Sequence, residues 1–321
     1  MEALFRRTLG LLLIFTAVTM AWLRTPELPA DALVARWAPP PSDFIAVRGQ
    51  VVHLRDEGPR DDPLPVVLIH GTSASLHTWD GWTAALAGER RVIRFDLPGF
   101  GLTGPFSPDS GYTPGDYGGD TYAAFVLDLL DTLDVPRAVL AGNSLGGEVA
   151  WRAAVLAPER VAALVLVNAS GLAHRPAQIP AGWALARVPV LNRITQWTLP
   201  RSLVQEGVRG VYGDPSRVTP ELVDRYHQLT LREGNRAALR QRLQQHSFGA
   251  DAERVDGITQ PTLIVWGGQD RLIPPAAGEE FERRIAGSMR VVFEELGHVP
   301  HEEDPARSVQ PVREFLQALA P

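Results

Sequence analysis

The chain has 321 residues, enough to bury a core as one large domain or two modest ones. Lys+Arg is 31 against 37 for Asp+Glu, a net charge of −6, and no basic stretch offers a footprint for a phosphate backbone, so nucleic acid is not an expected partner. All 31 basic residues are Arg and Cys is absent, which excludes a P-loop lysine, Schiff-base and Ser–Lys chemistry, thiol nucleophiles, thiolate zinc, iron–sulfur clusters and disulfides. Any nucleophile is left to Ser, Thr, Asp, Glu, His or Tyr.

Residues 8–23, TLGLLLIFTAVTMAWL, carry no charge, follow Arg6 and Arg7 and end at Arg24. At 1.5 Å per residue this helix signal spans roughly 24 Å, short of a hydrocarbon core of about 30 Å unless Leu4 and Phe5 join it and the flanking arginines snorkel. No small-x-small cleavage site follows directly, so residues 1–24 read as an uncleaved membrane anchor, with a cleaved secretory signal as the alternative. The arginine balance places the N-terminus inside and the body on the extracytoplasmic side. Residues 25–41 hold Pro26, Pro29 and Pro39-Pro40-Pro41 and read as a semi-rigid spacer, in which 31–37 has the pattern of a short amphipathic helix as a second reading.

The body starts near Ser42. SDFIAVRGQVVHLRDEG (42–58) has two β-prone runs broken at Arg48-Gly49-Gln50, an opening hairpin. Apolar runs of strand length follow at 65–71, 91–99, 138–144, 162–170, 261–268 and 289–297, rich in the Val, Ile and Leu that strands covered on both faces require. Helical patterns lie between them at 79–88, 118–134, 145–157, 276–286 and 305–319. This alternation predicts an α/β fold with a mostly parallel sheet, its core formed by 42–170 and 261–321. Residues 171–260 break the rhythm and turn helical. That is too long for a loop, so they are expected to form a helical cap over the carboxyl edge of the sheet, where α/β folds place their sites.

GNSLGG (142–147) follows a strand and opens a helix, matching G-x-S-x-G at Gly142, Ser144 and Gly146. A strand turning straight into a helix leaves no space for side chains two residues either side of the turn, so glycines flank it and Ser144 is lifted clear. There the Leu145 N–H and the helix dipole can meet a developing oxyanion. His70-Gly71-Thr72 ends the first parallel strand and places the Thr72 N–H as the second donor. Asp270 lies just past the run 261–268, and His298 follows the last strand, so Ser144, Asp270 and His298 meet at one sheet edge as nucleophile, acid and base.

On HGTSASLHTW, GNSLGG, Asp270 and His298, residues 42–320 resemble the α/β-hydrolase fold family, more narrowly its serine esterase, lipase and C–C hydrolase branches. The resemblance implies an eight-stranded, mostly parallel sheet with a helical cap after the sixth strand. It implies also that Asp96-Leu97-Pro98-Gly99-Phe100-Gly101 is a structural loop beside the site. Dehalogenase and epoxide hydrolase branches carry Asp at the elbow, where this chain has Ser144.

Rival patterns are weaker. Gly99, Gly101 and Gly104 spell G-x-G-x-x-G, but Pro98 and Pro105 bracket them, so the glycines open a loop and not a pyrophosphate-binding helix. His298, His301, Glu302 and Glu303 do not follow a recognised metal-ligand spacing. His70 reads as a hydrogen-bonded structural histidine, and Asp96 and Asp128 as loop and helix-face carboxylates. His53, His77, His174, His227 and His246 have no nameable partner. In the cap, Trp183, Leu185, Val188, Val190, Leu191, Ile194, Trp197 and Leu199 either pack the helices down or line an acyl pocket. The reading is a serine hydrolase of a small hydrophobic carboxylic ester, with no cofactor or metal. The alternatives are a C–C hydrolase of vinylogous diketones, a cofactor-free perhydrolase, and a noncatalytic binding protein.

Overall fold

The structure, a computed structural model, describes residues 6–11, 13–14, 24–188, 197–245 and 249–319, leaving aside the side chains of 185–187. Eight strands form one sheet in the order β1-β2-β4-β3-β5-β6-β7-β8. β1 (Asp43–Val47) and β2 (Gln50–Glu57) are the expected hairpin, turning through Arg48 and Gly49, both at positive φ. β2 also pairs antiparallel with β4 (Val92–Phe95). From β4 onward the sheet is parallel through β3 (Val66–Ile69), β5 (Ala138–Asn143), β6 (Val161–Val167), β7 (Thr262–Gly267) and β8 (Met289–Phe293).

Strand periodicity sorts side chains onto two cores. Val67, Ile69, Leu140, Leu164 and Ile264 face one cluster, shared with helices α3 (Gly119–Thr132), α4 (Leu145–Leu156) and α9 (Pro275–Arg284). Val66, Leu68, Val139, Val165 and Val265 face the other, shared with α2 (Asp80–Leu86) and α12 (Gln310–Ala318). In α3, Tyr122, Val126, Leu129 and Leu130 recur at helical spacing and are all buried. Each such side chain contributes about 1.5–3 kcal/mol on full burial. The expected helix at 305–319 is divided into α11 (Pro305–Ser308) and α12, with a further turn, α10 (Pro300–Glu303), ahead of it. Pro311 stands in the first turn of α12, where its missing N–H costs nothing.

Between β6 and β7 the chain forms α5 (Ala181–Arg187), α6 (Arg201–Val211), α7 (Pro220–Thr230) and α8 (Asn235–Gln245). The start of α7 is written locally: Thr219 caps Leu222 N at 3.2 Å, with Pro220 at the first helical position.

Two N-terminal expectations change. Most of the expected anchor (1–5, 12 and 15–23) lies outside the described residues. Among those described, helix covers 6–11 and 13–14, and no helix is long and apolar enough to cross a membrane. The membrane-anchored, extracytoplasmic assignment is therefore not supported by the described residues. The segment read chiefly as a spacer contains α1 (Ala30–Trp37), and it is docked on the body. Leu33 and Trp37 bury against Leu102 and Leu229, and Trp37 Nε1 donates to Gln228 Oε1 at 2.9 Å. Leu28 N donates to Leu231 O at 2.7 Å and Glu233 N returns to Leu28 O at 2.9 Å. Buried apolar area and paired backbone, which proline content does not report, decide the path of this segment.

Candidate active site

The turn from β5 into α4 puts Ser144 at φ 54°, ψ −116°, a conformation a non-glycine residue adopts only under tertiary constraint. The flanking glycines are required by contact. A methyl group on Gly142 would stand 2.1 Å from Gly146 O, and one on Gly146 would stand 2.0 Å from Ile69 O. Ser144 therefore sits at the N-terminus of α4, where helix amides and dipole favour negative charge. Leu145 N and Thr72 N donate to no other group among the described residues. Both residues line a small cavity with Ser144.

Asp270 follows β7 and is 5 % exposed. Its Oδ1 accepts from Leu272 N at 2.8 Å and Ile273 N at 2.9 Å. Its Oδ2 accepts from Asn168 Nδ2 at 2.6 Å and His298 Nδ1 at 2.7 Å. With both oxygens engaged the carboxylate cannot rotate, and a carboxylate that only accepts makes Nδ1 the protonated ring nitrogen. Nε2 of His298 is left as the acceptor. The His298 backbone is held at both ends: its N–H donates to Val211 O at 2.7 Å and its carbonyl accepts from Asn143 Nδ2 at 2.9 Å. Ser144 and His298 line the same larger cavity, of about 140 Å³. Among the described residues, no hydrogen bond joins Ser144 Oγ to His298. The Asp270–His298 half of the expected relay is formed and the Ser144–His298 half is open.

Two positioning residues escaped the sequence reading. Asn143 precedes Ser144 and ties β5 to the His298 loop. Asn168, at φ 44°, ends β6 at the sheet edge that holds Ser144, and its place after an apolar strand was the available signal. Beneath the elbow, Glu148 accepts from Arg152 Nε, Arg242 Nη2 and Ser170 Oγ, each at 3.0 Å, so α4 is joined to α8 of the insertion. Trp183 and Leu199 line the larger cavity, Val188 and Trp197 are exposed, and Val190, Leu191, Ile194, His246 and the Leu185 side chain lie outside the described residues.

The rival residues have other occupations. Leu97 N donates to His70 Nε2 at 2.9 Å, so His70 Nδ1 carries the proton and donates to Gly71 O at 2.7 Å; burial lowers its pKa. Glu303 accepts from Gly213, Asp214 and Gly297 amides, and Glu302 from Arg225 and Tyr226. His301 packs its ring 4.0 Å from Trp79. Among the described residues, no three His, Cys, Asp or Glu are grouped to hold a metal.

A family profile described as alpha/beta hydrolase fold matches residues 65–305, three quarters of the chain. The chain belongs to the alpha/beta hydrolase fold family. It is 34% identical over 257 residues to the dihydrolipoyllysine-residue acetyltransferase component of an acetoin cleaving system from Pseudomonas putida, covering 79% of this chain and 63% of that protein. The chain thus spans a little under two thirds of that relative's length. It is 30% identical over 287 residues to a 2-hydroxy-6-oxo-2,4-heptadienoate hydrolase of Pseudomonas putida, covering 86% of this chain and 96% of that protein. Among solved structures it is similar to a membrane phospholipase A, with a TM-score of 0.70 and 25% identity over 99% of each chain.

Proposed function

We propose that this chain is a serine hydrolase that cleaves a carboxylic ester of a hydrophobic acyl substrate through an acyl-enzyme. The observation that carries this reading is the elbow: Ser144 stands beside two uncommitted amides and shares a cavity with a His298 already oriented by Asp270. Two cavities meet at Ser144 and share the wall formed by Trp183 and Leu272, which suits a substrate with a group on each side of the scissile carbonyl.

Binding of the ester brings Ser144 Oγ within reach of His298 Nε2, a tightening that apo sites commonly need. Nε2 takes the hydroxyl proton as Oγ bonds the carbonyl carbon, and Asp270 steadies the imidazolium. The N–H groups of Thr72 and Leu145 hold the oxyanion, each worth about 3–4 kcal/mol in comparable sites. The C–O bond to the alcohol then breaks, the alcohol leaves with the proton from Nε2, and water repeats the cycle on the acyl-enzyme. The substitution Ser144→Ala is expected to abolish both p-nitrophenyl ester hydrolysis and labelling by a fluorophosphonate probe in a folded protein. Labelling that persists in that variant overturns the assignment.

The second reading is hydrolysis of a C–C bond beside a ketone, favoured by the similarity to the heptadienoate hydrolase along almost all of that enzyme. It uses the same three residues and differs in the leaving group. Turnover of ring-cleavage dienoates in preference to p-nitrophenyl esters would decide for it.

A further inference from the structure

The larger cavity is walled mainly by apolar side chains such as Leu203, Val204, Val208 and Leu239, and no Asp or Glu lines it among the described residues. Two arginines of α8, Arg236 and Arg240, one helical turn apart, do line it. Arg236 is 7 % exposed, and its Nε and Nη1 are buried without a hydrogen-bond partner. The one ion pair it makes among the described residues is through Nε, 3.6 Å from Glu27 Oε1, beyond hydrogen-bond length and on a carboxylate that is itself 37 % exposed. A guanidinium keeps its charge when buried, and leaving its donors unmatched in an apolar wall is costly. Burial accordingly works against its charged form, lowering its pKa, with Glu27 only partly opposing. A buried donor left unmatched beside a cavity calls for a partner, and a ligand entering that cavity is one that can supply it.

We infer that Arg236 is a specificity-determining residue that receives an anionic terminus of the substrate, a carboxylate or a phosphate monoester, at the end of an apolar chain whose ester lies at Ser144. This deepens the ester-hydrolase reading and rests on it. Both groups present oxygens that match the guanidinium fork, and the low-dielectric wall strengthens the contact. The apolar lining selects the chain, and Arg236 selects its charge. A neutral ester of the same length enters the same cavity but leaves the guanidinium unmatched, which is how polar sites discriminate.

The test compares p-nitrophenyl octanoate with the mono-p-nitrophenyl ester of octanedioic acid and with p-nitrophenyl 8-(phosphonooxy)octanoate. Wild type is expected to favour one of the two anionic esters by about tenfold or more in kcat/KM, and which one identifies the headgroup. Arg236→Gln is expected to lower kcat/KM on that ester by about 30-fold, mainly through KM, and to leave the neutral ester within about threefold. Arg236→Lys recovers part of the loss. Glu27→Gln keeps or raises the anionic preference, whereas a purely structural Arg236–Glu27 pair would make the two variants behave alike. Equal loss on all three esters in Arg236→Gln, or a wild type that prefers the neutral ester, overturns the proposal. A binding arm separates it from the ester reading: octanoate or octyl phosphate, whichever carries the headgroup preferred in turnover or, without turnover, whichever binds, is expected to raise the Tm of wild type and not of Arg236→Gln, while octanol does not distinguish them. Arg236-dependent binding of either anion without ester turnover sinks the ester reading and leaves the anion site standing; turnover with no Arg236-dependent binding of either anion does the reverse.

Discussion

Two Ser–His–Asp constellations occur among the described residues, and they are complementary in what each lacks. At the β1–β2 end, Ser42 Oγ lies 2.9 Å from His53 Nε2, and His53 Nδ1 lies 2.7 Å from Asp96 Oδ2. That chain of contacts is complete, yet Arg55 Nε also donates to Ser42 Oγ at 2.9 Å, His53 and Asp96 are fully buried, and none of the three lines either cavity at Ser144. Asp96 accepts in addition from Leu76 N and Leu102 N, both at 2.8 Å, which pins the loop beside β4. At the other site the Ser144–His298 contact is open, but the serine has an elbow, two free amides and a cavity. A closed network satisfies buried polar groups and rigidifies a loop. A nucleophile needs an oxygen that is not already committed and a place for the carbonyl.

The largest effect that would break this contrast comes from the two serines. Ser144→Ala should lower ester turnover by about 10⁶-fold, whereas Ser42→Ala should leave kcat within about threefold. Comparable losses in both variants, read by p-nitrophenyl ester kinetics, would erase the distinction. Asp270→Asn should cost about 10⁴ in kcat through the wrong imidazole tautomer. Asp96→Asn should instead lower stability to urea by about 3 kcal/mol and retain turnover per folded molecule, counted by fluorophosphonate titration. Asn143→Ala releases the His298 carbonyl and, on the proposed mechanism, should reduce kcat by about 10- to 100-fold with KM little changed, because the His298 loop loses an anchor and sub-ångström placement governs such rates.

The smallest effects are in pH dependence. Burial pushes the His77 pKa down to about 4 and also depresses His70 and His301, the last well below its ordinary value. In the unfolded chain these imidazoles titrate near about 6.5, so between pH 6.5 and 4 the unfolded state binds more protons. Stability should therefore fall as pH drops through that window, measured by urea midpoints, and the slope should flatten in His77→Gln. Burial alone would raise the Asp96 pKa, but His53, with His70 and His77 behind it, holds it well below the carboxylate range. Its contribution is present above about pH 3.9 and is lost as pH falls further, a steepening that Asp96→Asn should remove.

Much of the fold and part of the site were legible in residue order. The elbow announced itself because its constraint is local: Gly142 and Gly146 meet backbone within a few residues or on the adjacent strand. Continuous runs rich in Val, Leu and Ile marked the parallel strands because a sheet covered on both faces buries side chains of both directions. Asp270 and His298 were placed by their positions after strands. His53 had no nameable partner, and Asp96 was visible only as a loop residue, because β2 and β4 are joined by pairing and not by sequence. The Asn143–His298 carbonyl contact, separated by 155 residues, carries no local signature. The apolar N-terminal run, read as an anchor, is a case where composition suggested a role that the described helix does not reach.

By itself the sequence determined the alternation of strands and helices, the serine elbow, and the exclusion of lysine, thiol and thiolate-metal chemistry, because these depend on residue type and short spacing. Tertiary structure decided which serine faces a cavity, which histidine a carboxylate orients, how residues 24–37 strap the insertion, and that Arg236 is buried beside an apolar cavity. Those outcomes depend on burial and on partners brought together from distant parts of the chain, and the free energy of a polar group is set by what surrounds it.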